Sequence, residues 1–560
     1  MTEVFRPFPL SGRTYAEIYR RFRWHLPELF NIGVACTDAH PSRRLALIHI
    51  PARGEPQRYT FGQLSRLTNQ VANLFLGLGL RPGDRVAVVL PQLPETALVH
   101  LGAFKAGMVS LPLSALFGAD ALQYRLVDSA AKVVVTDAAG LERLEDLTNF
   151  PDLRWILLID SEPAADAQVK GFWQLVNSAS DQLHGPVTKV TDPCLIIYTS
   201  GTTGPPKGVL HGHRVLIGQA PGFRLCHEFI PQAGDLMWTP ADWAWIGGLV
   251  NTLLLTLLHG VPVIAAPRRG FDPEWALHLM AKYGVRNTFL PTTALRMMLQ
   301  HEMPSGLRVR SMLTGGEAQE AGLLEAVQAA FGITFNESYG QTEADFVVGH
   351  CASRWPVKSG SMGRAYPGHN VRIMGADGEL AGIGQVGEVV IEAPDPTMLL
   401  EYWNRPDATR DKIRDSWLRT GDLARLDDEG YFWFESRADD VIKSAGYRIG
   451  PGEIEECLLR HGAVAGVAVL GAPDPVRGQV IKAYVQLRDG FNSSPELEAQ
   501  LRSHVRQHLA AYQYPRLIEF VEALPLTATG KVNRGLLRQL AAEHADARPG
   551  RRQDGGVSRN

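Results

Sequence analysis

Cysteine is scarce in this chain, and its placement excludes more than its number. Cys36, Cys194, Cys226, Cys351 and Cys457 are five in 560 residues, odd in count and scattered. Neither a disulfide framework nor paired zinc-ligand spacing can be drawn from them, so a reduced compartment and no structural zinc are expected. An excess of one charge is missing too: 56 Lys and Arg against 59 Asp and Glu leave a formal net charge of -3. Nothing there resembles a nucleic-acid footprint, and no nucleic-acid partner is expected. Long apolar runs are also absent. The longest, Ile246–Leu258, is interrupted by Gly247, Gly248, Asn251 and two threonines, and is too short and too polar to cross a bilayer. The early arginines Arg6, Arg13, Arg20, Arg21 and Arg23 are broken by Glu3, Glu17 and Glu28, with no apolar h-region. They read as an amphipathic first helix rather than a transit peptide, and a cytoplasmic location is expected.

Length allows roughly three or four structural units of ~150 residues each. A hydrophobic content of 45% and a charged content of 21% suit a globular protein with ample core. From Arg85 to Asp137 strand-like and helix-like runs alternate: Arg85–Leu90, Val109–Leu113 and Lys132–Thr136 read as strands, Pro94–Ala106 and Ala119–Ala131 as helices. Such alternation predicts a mainly parallel sheet covered by helices. A second α/β stretch runs from about Cys194 to Gly340, with strands at Val261–Ala265 and Thr288–Leu290. Short strands between turn signals such as Ala376-Asp377-Gly378 predict a β subdomain over about 359–435.

After Arg437-Ala438-Asp439-Asp440 a new α+β unit begins, with helices at Pro451–Arg460 and Pro495–Leu509 and strands at Val464–Leu470 and Lys482–Leu487. The division expected is a large α/β lobe of two sheet subdomains plus a β subdomain over 1–438, and a small mobile α+β lobe over 439–547. A tail at 548–560, without core formers, is expected to be disordered.

The chain is organised around Thr199-Ser200-Gly201-Thr202-Thr203-Gly204-Pro205-Pro206-Lys207-Gly208, which follows the apolar run Leu195-Ile196-Ile197-Tyr198. Three glycines let the backbone bend tightly, four hydroxyls and the exposed N–H groups offer donors to phosphate, and Lys207 adds positive charge. It is not the common P-loop, because Pro206 precedes the lysine and Gly208 follows it. A plain Gly/Ser/Thr-rich strand-to-helix turn would also fit this run taken alone.

Together with Ser338-Tyr339-Gly340-Gln341-Thr342-Glu343, Thr420-Gly421-Asp422 and Thr529-Gly530-Lys531, the run resembles the adenylate-forming (AMP-binding) superfamily. That superfamily holds acyl-CoA synthetases, firefly luciferases and peptide-synthetase adenylation domains. Within it the chain looks most like medium-chain acyl-CoA synthetases, with acetyl-CoA synthetase a further relative. Four ordered motifs spread over about residues 15–540 carry the likeness.

The resemblance implies ATP, Mg2+ and coenzyme A acting on a small carboxylic acid, and it distributes the roles. Thr199, Ser200, Gly201, Thr202, Thr203, Gly204 and Lys207 would surround the β- and γ-phosphates. Thr342 would meet the α-phosphate and Glu343 would hold Mg2+, a hard cation that takes one or two carboxylates beside phosphate oxygens. Gly315, Gly316, Glu317, Glu337, Ser338 and Tyr339 would form the adenine pocket, with Tyr339 stacked on the ring, and Gly340 and Gln341 would also belong to the nucleotide site. Asp422 and Arg437 would clamp the ribose. Lys531 would reach the acyl carboxylate and α-phosphate during adenylation, and Lys443 would serve the thioester step after the small lobe swings about Asp439. Ala445, Gly446 and Tyr447 would line the pantetheine tunnel, Arg448 would touch phosphate, and Arg477, Arg506 and Tyr514 would hold coenzyme A. His211 and His213 look like bases, but a carboxylate is already a nucleophile and needs none.

Trp243, Ile246, Gly247, Gly315 and Gly340 are the expected acyl-pocket residues. Acetyl-CoA synthetases carry tryptophan at the position matching Gly340, so glycine is expected to leave an open pocket for an acid longer than acetate, medium-chain fatty acids first and branched or aromatic acids second. Glycine serving only the turn is the alternative. Two rival readings remain: a ligase loading an acid onto a carrier protein, and a nucleotide-binding regulator without catalysis. The pattern around Lys531 also matches the lysine that acetyltransferases modify in related synthetases, which makes a lysine acetyltransferase and a deacetylase expected partners.

Overall fold

The computed structural model describes residues 9–145, 150–160, 168–199, 205–268, 270–316, 322–438, 440–444, 447–474, 478–509, 513–527 and 531–546. The alternating stretch folds as its pattern predicts. Arg85–Val89, Val109–Pro112 and Val133–Thr136 are strands, with helices Pro94–Lys105 and Ala119–Asp128 between them. Arg85–Val89 lies between the other two and pairs with both in parallel. Val86, Val88, Val133 and Val135 are fully or almost fully buried, as runs covered by helices on both faces must be. These strands belong to an eight-stranded sheet that also contains Pro193–Thr199 and Lys207–Gly212.

Those last two strands correct the strand-to-helix alternative for the glycine-rich run. They pair antiparallel, with Thr199 opposite Lys207 and Tyr198 opposite Gly208, so the element after the first strand is a second strand and not a helix. Val209, Leu210 and His211 are buried, and that continuing buried strand is what carries the chain back along its neighbour.

A nine-stranded sheet brings together Met237–Trp238, Val263–Ala265, Asn287–Phe289, Ser311–Gly315 and Asn336–Gln341, all in parallel. Its far side turns back through the hairpin Asn336–Gln341 and Ala344–Gly349. The largest apolar cluster draws on both sheets, on helix Arg214–Cys226 and on the run Leu249–Leu258. That run, flagged by its hydropathy, is a buried helix whose turn at Leu249–Leu254 is wound as a π-helix. No helix among the described residues is long and apolar enough to cross a membrane. A five-stranded antiparallel sheet including Val371–Met374, Gly387–Glu392, Trp417–Leu426 and Phe432–Arg437 forms the β subdomain.

Beyond residue 440 a second five-stranded sheet is built on the long pair Val464–Asp474 and Gly478–Leu487. Helices Pro451–Leu459 and Pro495–His508 cover it. Ile454, Leu458, Val469, Val485, Leu501 and Val505 form its own buried cluster, which is the physical mark of a separate folding unit. Asp440 ties the start of this unit to its last helix through Arg534 and Arg538.

All five cysteines are free and buried. The zinc expectation was drawn from spacing along the chain, and folding adds what spacing hides: Cys457, His504 and His508 bring potential ligand atoms within 4.8 Å of one another. The Arg460 guanidinium beside the Cys457 thiol opposes a second cation there.

Candidate active site

The hairpin Asn336–Gln341 and Ala344–Gly349 carries Thr342 and Glu343 at its tip. Tyr339 pairs with Val348 and Gln341 with Ala344, so the second strand holds two more residues than the first across this interval. The bulge drives Asp345 and Phe346 against Gly340. A Cβ on Gly340 would lie 2.2 Å from Asp345 Oδ1, 2.5 Å from its Cα and 2.9 Å from the Phe346 nitrogen. Phe346 takes a positive φ of 56°, a conformation that side chains favour only under constraint.

These distances correct the physical argument for an open pocket at Gly340, because the vacated space is taken by the Asp345 carboxylate. Two other pocket glycines are close approaches as well. A Cβ on Gly315 would meet the Ser338 carbonyl oxygen at 2.4 Å, and one on Gly247 the Phe289 ring at 2.8 Å. Trp243 is fully buried in the main core and has no surface to offer a ligand, a second correction. Ile246 and Gly247 keep partial exposure.

At the hairpin tip, the Tyr402 hydroxyl donates to Glu343 Oε1 at 2.5 Å. Lys207 Nζ lies 5.3 Å from the centroid of the Tyr402 ring, so folding gathers Lys207, Thr342 and Glu343 around a tyrosine that no motif marked. His211 Nε2 lies 2.7 Å from the Thr342 carbonyl oxygen. Burial holds the His211 pKa down to about 4, so near neutral pH its uncharged ring donates that bond and fixes the tip. Both histidines are buried, which agrees with a packing role and not with that of a base.

Asp422 is nearly buried and fully engaged. Tyr339 and Gln341 each donate to its Oδ2 at 2.6 Å, and Arg437 donates to Oδ1 at 2.8 Å. The expected ribose clamp and the expected adenine-stacking ring are thus one bonded unit. Tyr339 has its phenol pKa pushed well up by burial and by Asp422 beside it. Lys412 completes this network, donating to Gln341 Oε1 at 2.9 Å. Its pKa is lowered by burial, with Glu343 and Asp422 acting against that shift. Sequence reasoning missed Lys412 and Tyr402: neither belongs to one of the four motifs, and each acts through contacts with residues far away in the chain. Glu337 is buried, with its pKa raised well above the usual range by desolvation.

Lys531 comes from the small lobe. Its Nζ lies 3.4 Å from where a Cβ on Gly316 would be, at the end of strand Ser311–Gly315. Gly316 holds a φ of +89°, so glycine is required there by conformation as well as by the lysine above it. Asp345 also feels the Lys531 charge. In the small lobe Arg506 stacks 3.9 Å over the Tyr514 ring. Both residues line a cleft of about 320 Å³ with Arg502 and Arg516. Lys443 and Arg448 face each other as backbone partners, and Ser444 pairs with Tyr447. Ser200, Gly201, Thr202, Thr203, Gly204, Glu317, Asp439, Ala445, Gly446, Arg477 and the 548–560 tail lie outside the described residues.

A hydroxyl and a carboxylate at a hairpin tip, an aspartate bonded by the same hairpin and a lysine delivered by a second lobe mark a two-lobed molecule whose motif residues are brought together by folding. The chain belongs to the AMP-binding enzyme family: that family's profile matches residues 35–403, and the profile of the AMP-binding enzyme C-terminal domain matches residues 453–531. It is 35% identical over 543 residues to acyl-coenzyme A synthetase ACSM4, mitochondrial, of Rattus norvegicus, covering 93% of this chain and 92% of the relative. Acetyl-coenzyme A synthetase of Bacillus subtilis is 32% identical over 549 residues, covering 94% and 95%. Among solved structures, ATP-bound MatB from Rhodopseudomonas palustris superposes with a TM-score of 0.82 at 25% identity, covering 91% of this chain and 98% of that one. Apo MatB, at the same identity and coverage, gives 0.72.

Proposed function

We propose that this enzyme is an ATP-dependent acyl-CoA synthetase that joins a carboxylic acid to coenzyme A through an acyl-adenylate, releasing AMP and pyrophosphate. The observation that carries the reading is Lys531, delivered from the small lobe onto Gly316 and close enough for its charge to act on Asp345, two residues beyond Glu343. In the first half-reaction a carboxylate oxygen of the acid attacks the α-phosphorus of ATP and the bond to pyrophosphate breaks. Lys531 supplies positive charge to the acid and the α-phosphate, Thr342 a hydroxyl, and Asp422 fixes the ribose. In the second, the thiol of coenzyme A gives up its proton, its sulfur attacks the acyl carbonyl and AMP leaves.

The donor set fits Mg2+. Glu343 accepts one hydrogen bond from Tyr402 and forms no salt bridge among the described residues, which leaves carboxylate lone pairs for a hard cation. When bound, Mg2+ would neutralise phosphate charge at that carboxylate. Lys443 would serve the second half-reaction once the small lobe has turned about Asp439. The boundary between lobes is placed there, with 1–438 as the large lobe and 439–547 as the small one. Arg477, Arg506 and Tyr514 are proposed to hold coenzyme A, with Arg448 on the nucleotide's phosphate.

For the acid, a medium-chain fatty acid is the leading class, supported by the resemblance of the motifs to medium-chain synthetases. Lys531 is exposed, so a lysine acetyltransferase could reach it, and acetylation would remove the charge that adenylation uses. Pyrophosphate release, measured over a panel of carboxylic acids with and without coenzyme A, tests the proposal. Release with thioester formation is expected. Release without thioester would favour the carrier-loading ligase, and no release with any acid would favour the regulator.

A further inference from the structure

We propose that the acyl pocket selects an acid carrying a hydrogen-bond donor on its chain, read by Asp345 together with Asn251. The inference rests on the synthetase reading and deepens it. Gly340 lies in the motif strand whose neighbours meet ATP, and the Asp345 carboxylate fills the space beside it. The pocket thus begins with an acidic group where an aliphatic chain would meet only carbon.

Asp345 is incompletely satisfied. Oδ1 accepts from the Phe346 nitrogen at 2.8 Å and Oδ2 from Asn251 Nδ2 at 2.7 Å. Each carboxylate oxygen keeps a further lone pair. Asp345 sits in the bulge of the hairpin and retains partial exposure. Asn251, only 9% exposed, donates its amide to Asp345 while its own Oδ1 has no partner. A buried carbonyl without a donor is a rare and costly arrangement unless a ligand supplies one. Asn251 lies on the π-helical turn that follows Ile246 and Gly247, so these acceptors flank the expected acyl pocket.

A donor on the acid would satisfy both. The Lys531 ammonium already acts on Asp345, so a second cation would be repelled by the first, whereas a hydroxyl adds no charge. A hydroxy acid is therefore favoured over an amino acid.

Thioester formation from octanoate is compared with that from octanoates bearing a hydroxyl or an amino group at successive carbons near the carboxyl end. At least one hydroxy acid should exceed octanoate in kcat/KM by about tenfold to a hundredfold, since a site built for a hydroxyl rejects the analogue without one. Asp345→Ala, and the near-isosteric Asp345→Asn, should lose most of that ratio while still turning over octanoate. Preference for octanoate over every substituted acid would overturn the proposal, as would an Asp345 variant that slows all acids by one factor, the result expected of a mere counter-ion to Lys531. An amino acid outranking the hydroxy acids would keep the donor and overturn the charge argument. Loss of pyrophosphate release with every acid would instead sink the synthetase reading itself.

Discussion

Lys531 comes from the small lobe and Glu343 from a hairpin tip of the large one, and each supports a separate expectation. Lys531→Ala should lower acyl-adenylate formation by about 10²- to 10³-fold, the usual loss when one preorganised charge donor is removed. Thioester formation from supplied acyl-AMP should be spared, and assaying the two half-reactions separately checks this. Equal losses in both would remove the assigned role. Glu343→Gln keeps the bond from Tyr402 but removes the charge, so adenylation should need far more Mg2+ while thioester formation from acyl-AMP stays nearly unchanged. A Mg2+ titration of pyrophosphate release reads this directly. Both residues were legible in the sequence because their motifs are contiguous. Lys412 and Tyr402 were not, because their roles depend on contacts with Gln341 and Glu343 that no local pattern encodes.

The hairpin Asn336–Gln341 and Ala344–Gly349 shows how an element constrains a single position. Its bulge leaves no room for a Cβ on Gly340, so Gly340→Ala should cost about 1–3 kcal/mol of stability, the range for an overpacked site. Chemical denaturation would measure it, and wild-type stability would show that the hairpin yields easily. Gly340→Trp, which the open-pocket argument would have used to shorten the substrate, should instead displace Asp345 and damage the fold. The sequence showed a glycine; the two extra residues on the opposite strand are a matter of register.

The proposed mechanism makes demands on the whole molecule. With Lys443 and Lys531 in one lobe but assigned to different half-reactions, one geometry would not suit both, and the lobe would turn between them on the microsecond-to-millisecond scale of such closures. Asp439→Pro should therefore slow thioester formation more than adenylation in stopped-flow assays; unchanged rates would place the hinge elsewhere. Acid should also unfold this protein early. Burial holds His100, His213, His227, His259 and His350 down to about 3 and His211 to about 4, against an ordinary 6.5. The unfolded chain then binds more protons than the folded one between pH 6.5 and 3, so stability is lost as pH falls through that window. Glu337, Asp242 and Asp345, with raised values, act in the opposite sense, but these six histidines outnumber them. Calorimetry across pH 7 to 4 should show a falling Tm; a flat profile would contradict the sign.

By itself the sequence determined the alternating elements of the large lobe, the start of a second unit after Arg437, and the motifs that carry the family likeness. Each of these is local: apolar periodicity sets strand and helix, and a phosphate-binding loop is a run of consecutive donors. Only the tertiary structure decided that the strands flanking the glycine-rich run pair antiparallel, that Asp422 is bonded by Tyr339 and Gln341, and that Asp345 fills the space beside Gly340. These depend on which strands become neighbours and in what register, and a pocket is the space left by residues far apart in the chain.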